Sequence, residues 1–113
     1  MIKIILKRMS IQELEAFKGN PFSDMVKFVV DVEQGIAAFG GELHADAEEK
    51  LLEHGSLQKN LWGGNYYFGK KGEQAIKYIS LINIRPSVKN YSMEIKDKKI
   101  CAKMKSVIEK LLP

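Results

Sequence analysis

The chain has 113 residues, 45% hydrophobic and 28% charged, with a formal net charge of +4. That length suits one domain with a real core and not two, and the composition excludes a disordered or fibrous chain. No apolar run is long enough to span a membrane, the opening run 1–7 is too short for a signal peptide, and the lone Cys101 allows no internal disulfide, so a cytoplasmic protein without membrane association is expected.

The charge is uneven. Residues 1–68 carry 7 Lys/Arg against 10 Asp/Glu, a net of −3, whereas residues 69–113 carry 11 against 4, a net of +7. A basic half can serve a nucleic-acid partner. Five of its lysines (Lys98, Lys99, Lys103, Lys105 and Lys110) fall in one predicted helix, where lysine commonly solvates an exposed face, and that reading is preferred.

In chain order, residues 2–6 read as a short isoleucine-rich strand. Ser10 and Glu13 have capping-box spacing and open a short helix with Ile11, Leu14 and Phe17 inward, ended by Gly19-Asn20-Pro21. Residues 25–33 alternate as a strand, and Gln34-Gly35 turns the chain into a second strand predicted over 36–46. On that second strand the odd positions are apolar or bare, while the even ones change from Ile36 and Ala38 to Glu42, His44 and Asp46. Gly40-Gly41 just before the change would admit another backbone or a ligand. A helix follows from Asp46 or Ala47 to His54, with Asp46 as its expected N-cap, Glu49 as capping-box partner and Gly55 as the stop.

Residues 61–68 form a further predicted strand with Trp62, Tyr66 and Phe68 on one face, a stripe that is more often core than stacking platform. Gly69-Lys70-Lys71-Gly72 is a turn without the spacing of a phosphate-binding loop. Residues 78–85 are apolar on both sides up to Ile84 and predict a central strand, stopped by Pro86. After a polar connection, a helix from Asp97 or Lys98 carries Ile100, Met104, Val107, Ile108 and Leu111 as one apolar stripe. The sum is an α+β domain: a mainly antiparallel sheet of four to five strands with three helices, residues 1–113 being a single domain.

Two predicted strands turn polar at one end, which suggests where chemistry belongs. His44 is the candidate acid or base, with Glu42 to orient it or to pair with Arg85. Arg85 offers a planar fork to a phosphate or carboxylate, and Asn83, Ser87, Asn90, Trp62 and Asn65 complete a candidate ligand-binding set. The alternative is a buried structural network in which Arg85 satisfies Glu42 and His44 ties down a loop. Glu42, His44 and Asp46 at period two have too little nitrogen or sulfur for a zinc or iron site, and carboxylate-bound Mg²⁺ or Mn²⁺ would be unspecific, so no metal site is assigned and the cofactor is left open. Cys101 reads as a small packing residue and His54 as a helix-end residue.

The stretches Gly40-Gly41-Glu42-Leu43-His44-Ala45-Asp46-Ala47-Glu48, Leu61-Trp62-Gly63 with Asn65, and Ser80-Leu81-Ile82-Asn83-Ile84-Arg85-Pro86-Ser87 together resemble a family of short prokaryotic proteins classed only as a domain of unknown function. In that family an arginine often stands where this chain has Tyr91, which bears on whether the pocket holds a second cation. The resemblance covers nearly the whole chain and implies no activity, cofactor or catalytic role.

The leading expectation is therefore a small anionic ligand, bearing phosphate or carboxylate, bound at Glu42, His44, Asn83 and Arg85, with hydrolysis as an extension. The alternative is a non-enzymatic protein-interaction module, with a homodimer among its partners, or a basic nucleic-acid-binding domain.

Overall fold

A computed structural model describes residues 1–113. The strands are β1 (Ile2–Ile5), β2 (Met25–Asp31), β3 (Ile36–Gly40), β4 (Leu61–Tyr67) and β5 (Ile76–Lys77), and the helices are α1 (Ile11–Glu15), α2 (His44–Glu53) and α3 (Lys98–Leu111). The strands form one antiparallel sheet in the order β1-β3-β2-β4-β5. No helix is long and apolar enough to cross a membrane.

Both faces of the sheet are covered, which is why β2 and β3 are apolar at nearly every position. On one face Val26, Phe28, Val30, Ala37, Phe39 and Trp62 pack under α3, whose stripe of Met104, Val107, Ile108 and Leu111 is buried. On the other face Val29, Ile36, Ala38 and Leu61 meet Ala47 and Leu51 of α2. Truncating a ring such as Phe28 or Phe39 in the larger core would cost about 3–5 kcal/mol.

The local signals behave as their chemistry requires. Ser10 Oγ accepts from Glu13 N at 3.0 Å and Glu13 Oε1 accepts from Ser10 N at 2.9 Å, closing the capping box of α1. The hairpin between β2 and β3 is organised by buried Asp31, which accepts from the N–H groups of Glu33 and Gln34 at 3.0 Å and from Gln34 Nε2 at 2.8 Å. Asp97 caps α3 by accepting from Lys99 N at 2.8 Å.

Four expectations are corrected. The strand predicted over 36–46 ends at Gly40, and α2 begins at His44, so Glu42 and His44 do not share a strand face. The N-cap of α2 is Leu43, with no side-chain cap, and Asp46 stands in the first turn, where a carboxylate suits the positive end of the helix dipole. The apolar segment 78–85 is not a central strand: β5 stops at Lys77, and the chain continues through the 3-10 turns Leu81–Asn83 and Pro86–Val88. Ser80 Oγ accepts from Ile82 N at 3.2 Å, a local bond that competes with a sheet ladder. Finally, Ile11 is exposed, leaving Leu14 and Phe17 to anchor α1.

Candidate functional site

β4 is the strand on which the expected site residues meet. β5 pairs with it only at Asn65 and Tyr66, so the outer edge of β4 from Leu61 to Gly64 has no strand partner. Side chains from the following loop take that place. Asn83 behaves like a peptide group: its Oδ1 accepts from Gly63 N at 2.8 Å and its Nδ2 donates to Gly63 O at 2.9 Å. Nδ2 also donates to Met93 O at 3.1 Å, and the residue has no exposed surface. Arg85 Nη2 donates to Leu61 O, the next carbonyl along the edge, at 2.7 Å, while the guanidinium lies over the Trp62 ring at 4.2 Å. An exposed sheet edge is thus closed without a strand.

Asn90 does for the loop what Asn83 does for the edge. Its Nδ2 donates to the carbonyls of Asn83, Ser92 and Glu94 at 2.7, 3.0 and 3.1 Å, and its Oδ1 accepts from Lys96 N at 3.0 Å. A backbone bridge between Arg85 and Asn90 closes the intervening turn, with Lys89 in the left-handed region at φ 60°. Ser87 stands exposed on this turn.

His44 comes from the opposite direction. It opens the inward stripe of α2, three residues before Ala47 and seven before Leu51, and is buried. Its Nε2–H donates to Gly64 O at 2.8 Å. Burial pushes its pKa below the ordinary value of 6.5; the bond to Gly64 O pulls it up, and Lys27 depresses it further. The ring is therefore neutral and committed to tying the start of α2 onto β4.

Gly63 makes this crowding feasible. A Cβ there would lie 2.7 Å from Ser80 Cβ, 2.8 Å from Ser80 Oγ and 3.2 Å from His44 Cδ2. The space over this glycine is filled by the protein's own side chains. At Gly40 it is backbone that fills the space: a Cβ would collide with the Met1 carbonyl oxygen.

Trp62, Asn65, His44, Asn83, Arg85 and Asn90 are thus brought into one connected region. Glu42 is not: it is exposed beside Met1, Asn20 and Pro21. The carboxylate that faces Arg85 is Glu48, on the second turn of α2. Burial pushes its pKa above the ordinary 4.5, with Arg85 and Gln58 pulling the other way. Arg85 is itself lowered by burial, against the pull of Glu48. Arg85 Nη1 and Glu48 Oε2 are buried without a hydrogen-bond partner, and the two groups form no ion pair within 4.0 Å. Sequence reasoning missed Glu48 because it started the helix two or three residues late; from His44 as first residue, Glu48 falls at i+4, on the inward side. No group of three or more His, Cys, Asp or Glu side chains is placed to hold a metal ion.

The molecule is an α+β domain whose polar cluster links a helix, a strand edge and a long loop. Residues 3–111 match the family described as Protein of unknown function (DUF5674), and the chain belongs to that family. No curated protein and no solved structure matches it.

Proposed function

We propose that this domain is a non-enzymatic interaction module that pairs with a second copy of itself through the outer side of its 79–93 loop and the adjoining edge of α2. One observation carries the reading. Ile79, Leu81, Ile84, Val88, Tyr91 and Met93 are all exposed, Leu81 at 68% and Tyr91 at 70%, on a loop whose backbone is held from inside by Asn83 and Asn90. Concentrated exposed apolar surface marks a contact site, and a loop already rigid loses little entropy when it binds.

Charge selects the occupant. The loop exposes Lys89, whereas α2, which packs directly against the turn Leu81–Asn83, exposes Asp46, Glu49 and Glu53 against one lysine, Lys50, on a surface that also exposes Leu43 and Leu52. An exposed lysine bordering a net-acidic helix surface can be matched by a second copy about a two-fold axis, each contact being made twice. The competing reading, an anion bound at Asn83 and Arg85 with hydrolysis at His44, would have to displace the three bonds of Asn83 and the one from His44 to Gly64. The geometry favours the interaction reading.

Light scattering coupled to size exclusion tests it. The expected mass is twice the 12.8 kDa of the chain. Leu81→Asp and Tyr91→Asp should each give monomers with unchanged circular dichroism. A wild-type monomer at about 100 μM, where a standard-sized interface would be populated, overturns the proposal.

A further inference from the structure

A second feature borders the Asn90 network at Glu94 and Lys96 and shares Ile79 with the proposed contact surface, but it does not rest on self-association. We propose that the cleft between the β5 segment and the first half of α3 binds a mononucleotide-sized ligand, one with a planar apolar body and a phosphate group. The cleft has a volume of about 730 Å³, in the range of small-molecule sites.

Its shape follows from the sequence of α3. Lys98, Cys101, Ala102 and Lys105 share one helical face lining the cleft. The small side chains at 101 and 102 keep the floor low, and the two lysines stand about 10 Å apart along the axis at its ends. The facing wall is apolar, built by Ile76, Ile79 and the Tyr78 ring, with Lys77 and Lys96 on the rim.

The rim carries four lysines against two glutamates, Glu73 and Glu94. Glu94 is taken by Lys96 at 3.5 Å, and the molecule's only other ion pair is Lys18–Glu15. Lys77, Lys98 and Lys105 therefore have no carboxylate within 4.0 Å and are free to donate to a phosphate. An inorganic anion would use only this rim, whereas a ligand with a flat apolar body also covers the wall. Cys101 does not make the site reactive: its thiol is directed at Ile95 O at 3.6 Å, and burial, then Asp97 and Glu94, push its pKa up, so it remains a thiol.

The test is an amide NMR titration of the full chain with AMP, adenosine, inorganic phosphate and a short oligoribonucleotide. The expected result is saturable shifts at Lys77, Ile79, Cys101 and Ala102 with AMP, a Kd below about 1 mM, and binding at least about tenfold weaker for adenosine or phosphate alone. Ala102→Phe, which fills the floor, and Lys98→Glu, which reverses the rim, should each weaken AMP by about fivefold or more, while Lys103→Glu, exposed and outside the cleft, leaves it unchanged. Phosphate binding as well as AMP, absence of saturable shifts, or much tighter oligoribonucleotide binding with shifts spreading to Lys99 and Lys103 would each overturn the assignment.

Discussion

Replacing Asn83 by Ala removes the side chain that stands in for a missing strand. Three hydrogen bonds disappear, at 2.8, 2.9 and 3.1 Å, leaving the buried Gly63 N–H and Gly63 O without partners, while Met93 O keeps the Ser80 N–H at 3.0 Å. Each of the two orphaned buried groups costs about 1–3 kcal/mol, the lost bond to Met93 O adds about 0.5–1.5 kcal/mol, and relaxation of the loop recovers part, so a loss of about 3–5 kcal/mol is expected. That is a large share of the 5–15 kcal/mol typical of a small domain, and at about 4 °C per kcal/mol it lowers Tm by about 12–20 °C. Urea unfolding followed by circular dichroism measures the loss, and hydrogen exchange at the Gly63 amide locates it. Asn83→Asp separates hydrogen bonding from volume: it keeps the shape but turns a donor into an acceptor facing two carbonyls, and it should be destabilised as much as the alanine variant at neutral pH. A loss below about 1 kcal/mol for Ala, or near-wild-type stability for Asp, would falsify the view that a side-chain amide completes this edge.

Two further outcomes follow from the same region. Because folding depresses the pKa of His44, the unfolded chain takes up a proton near pH 6.5 that the folded chain refuses, so this residue's contribution is full above that pH and falls on acidification towards the folded value. Glu48, whose folded pKa is raised, contributes with the opposite sign, so the comparison that isolates His44 is wild type minus His44→Gln across pH 5–8; a difference that does not change with pH contradicts the assignment. Gly63→Ala should cost about 1–3 kcal/mol by overpacking against Ser80, and adding Ser80→Gly should restore part of it; strict additivity in the double-mutant cycle would show that the two do not collide.

Local chemistry accounts for much of the fold. The alternation of residues 25–33, the Gln34-Gly35 reversal, the Ser10–Glu13 box and the apolar stripe of α3 are short-range patterns, and each produced its element because nothing in the tertiary structure opposed it. The sequence led to the expectation that Glu42, His44, Asn83 and Arg85 converge from two strand ends; His44, Asn83 and Arg85 do lie around β4, but they come from a helix start and a loop, and Glu42 stays exposed and apart. The partners themselves could not be read from spacing. His44 bonds a carbonyl 20 residues away, Asn83 a glycine 20 residues before it, and Arg85 faces Glu48 rather than Glu42. Residues 78–84 are apolar enough for a central strand, but β4 accepts β5 only over two residues and closes the rest of its edge with side chains, so the segment became a loop with Ile79, Leu81 and Ile84 outward. Periodicity decides which residues are buried when local geometry is the only constraint; pairing across the chain decides which edge is filled, by what, and therefore which surfaces are left to bind.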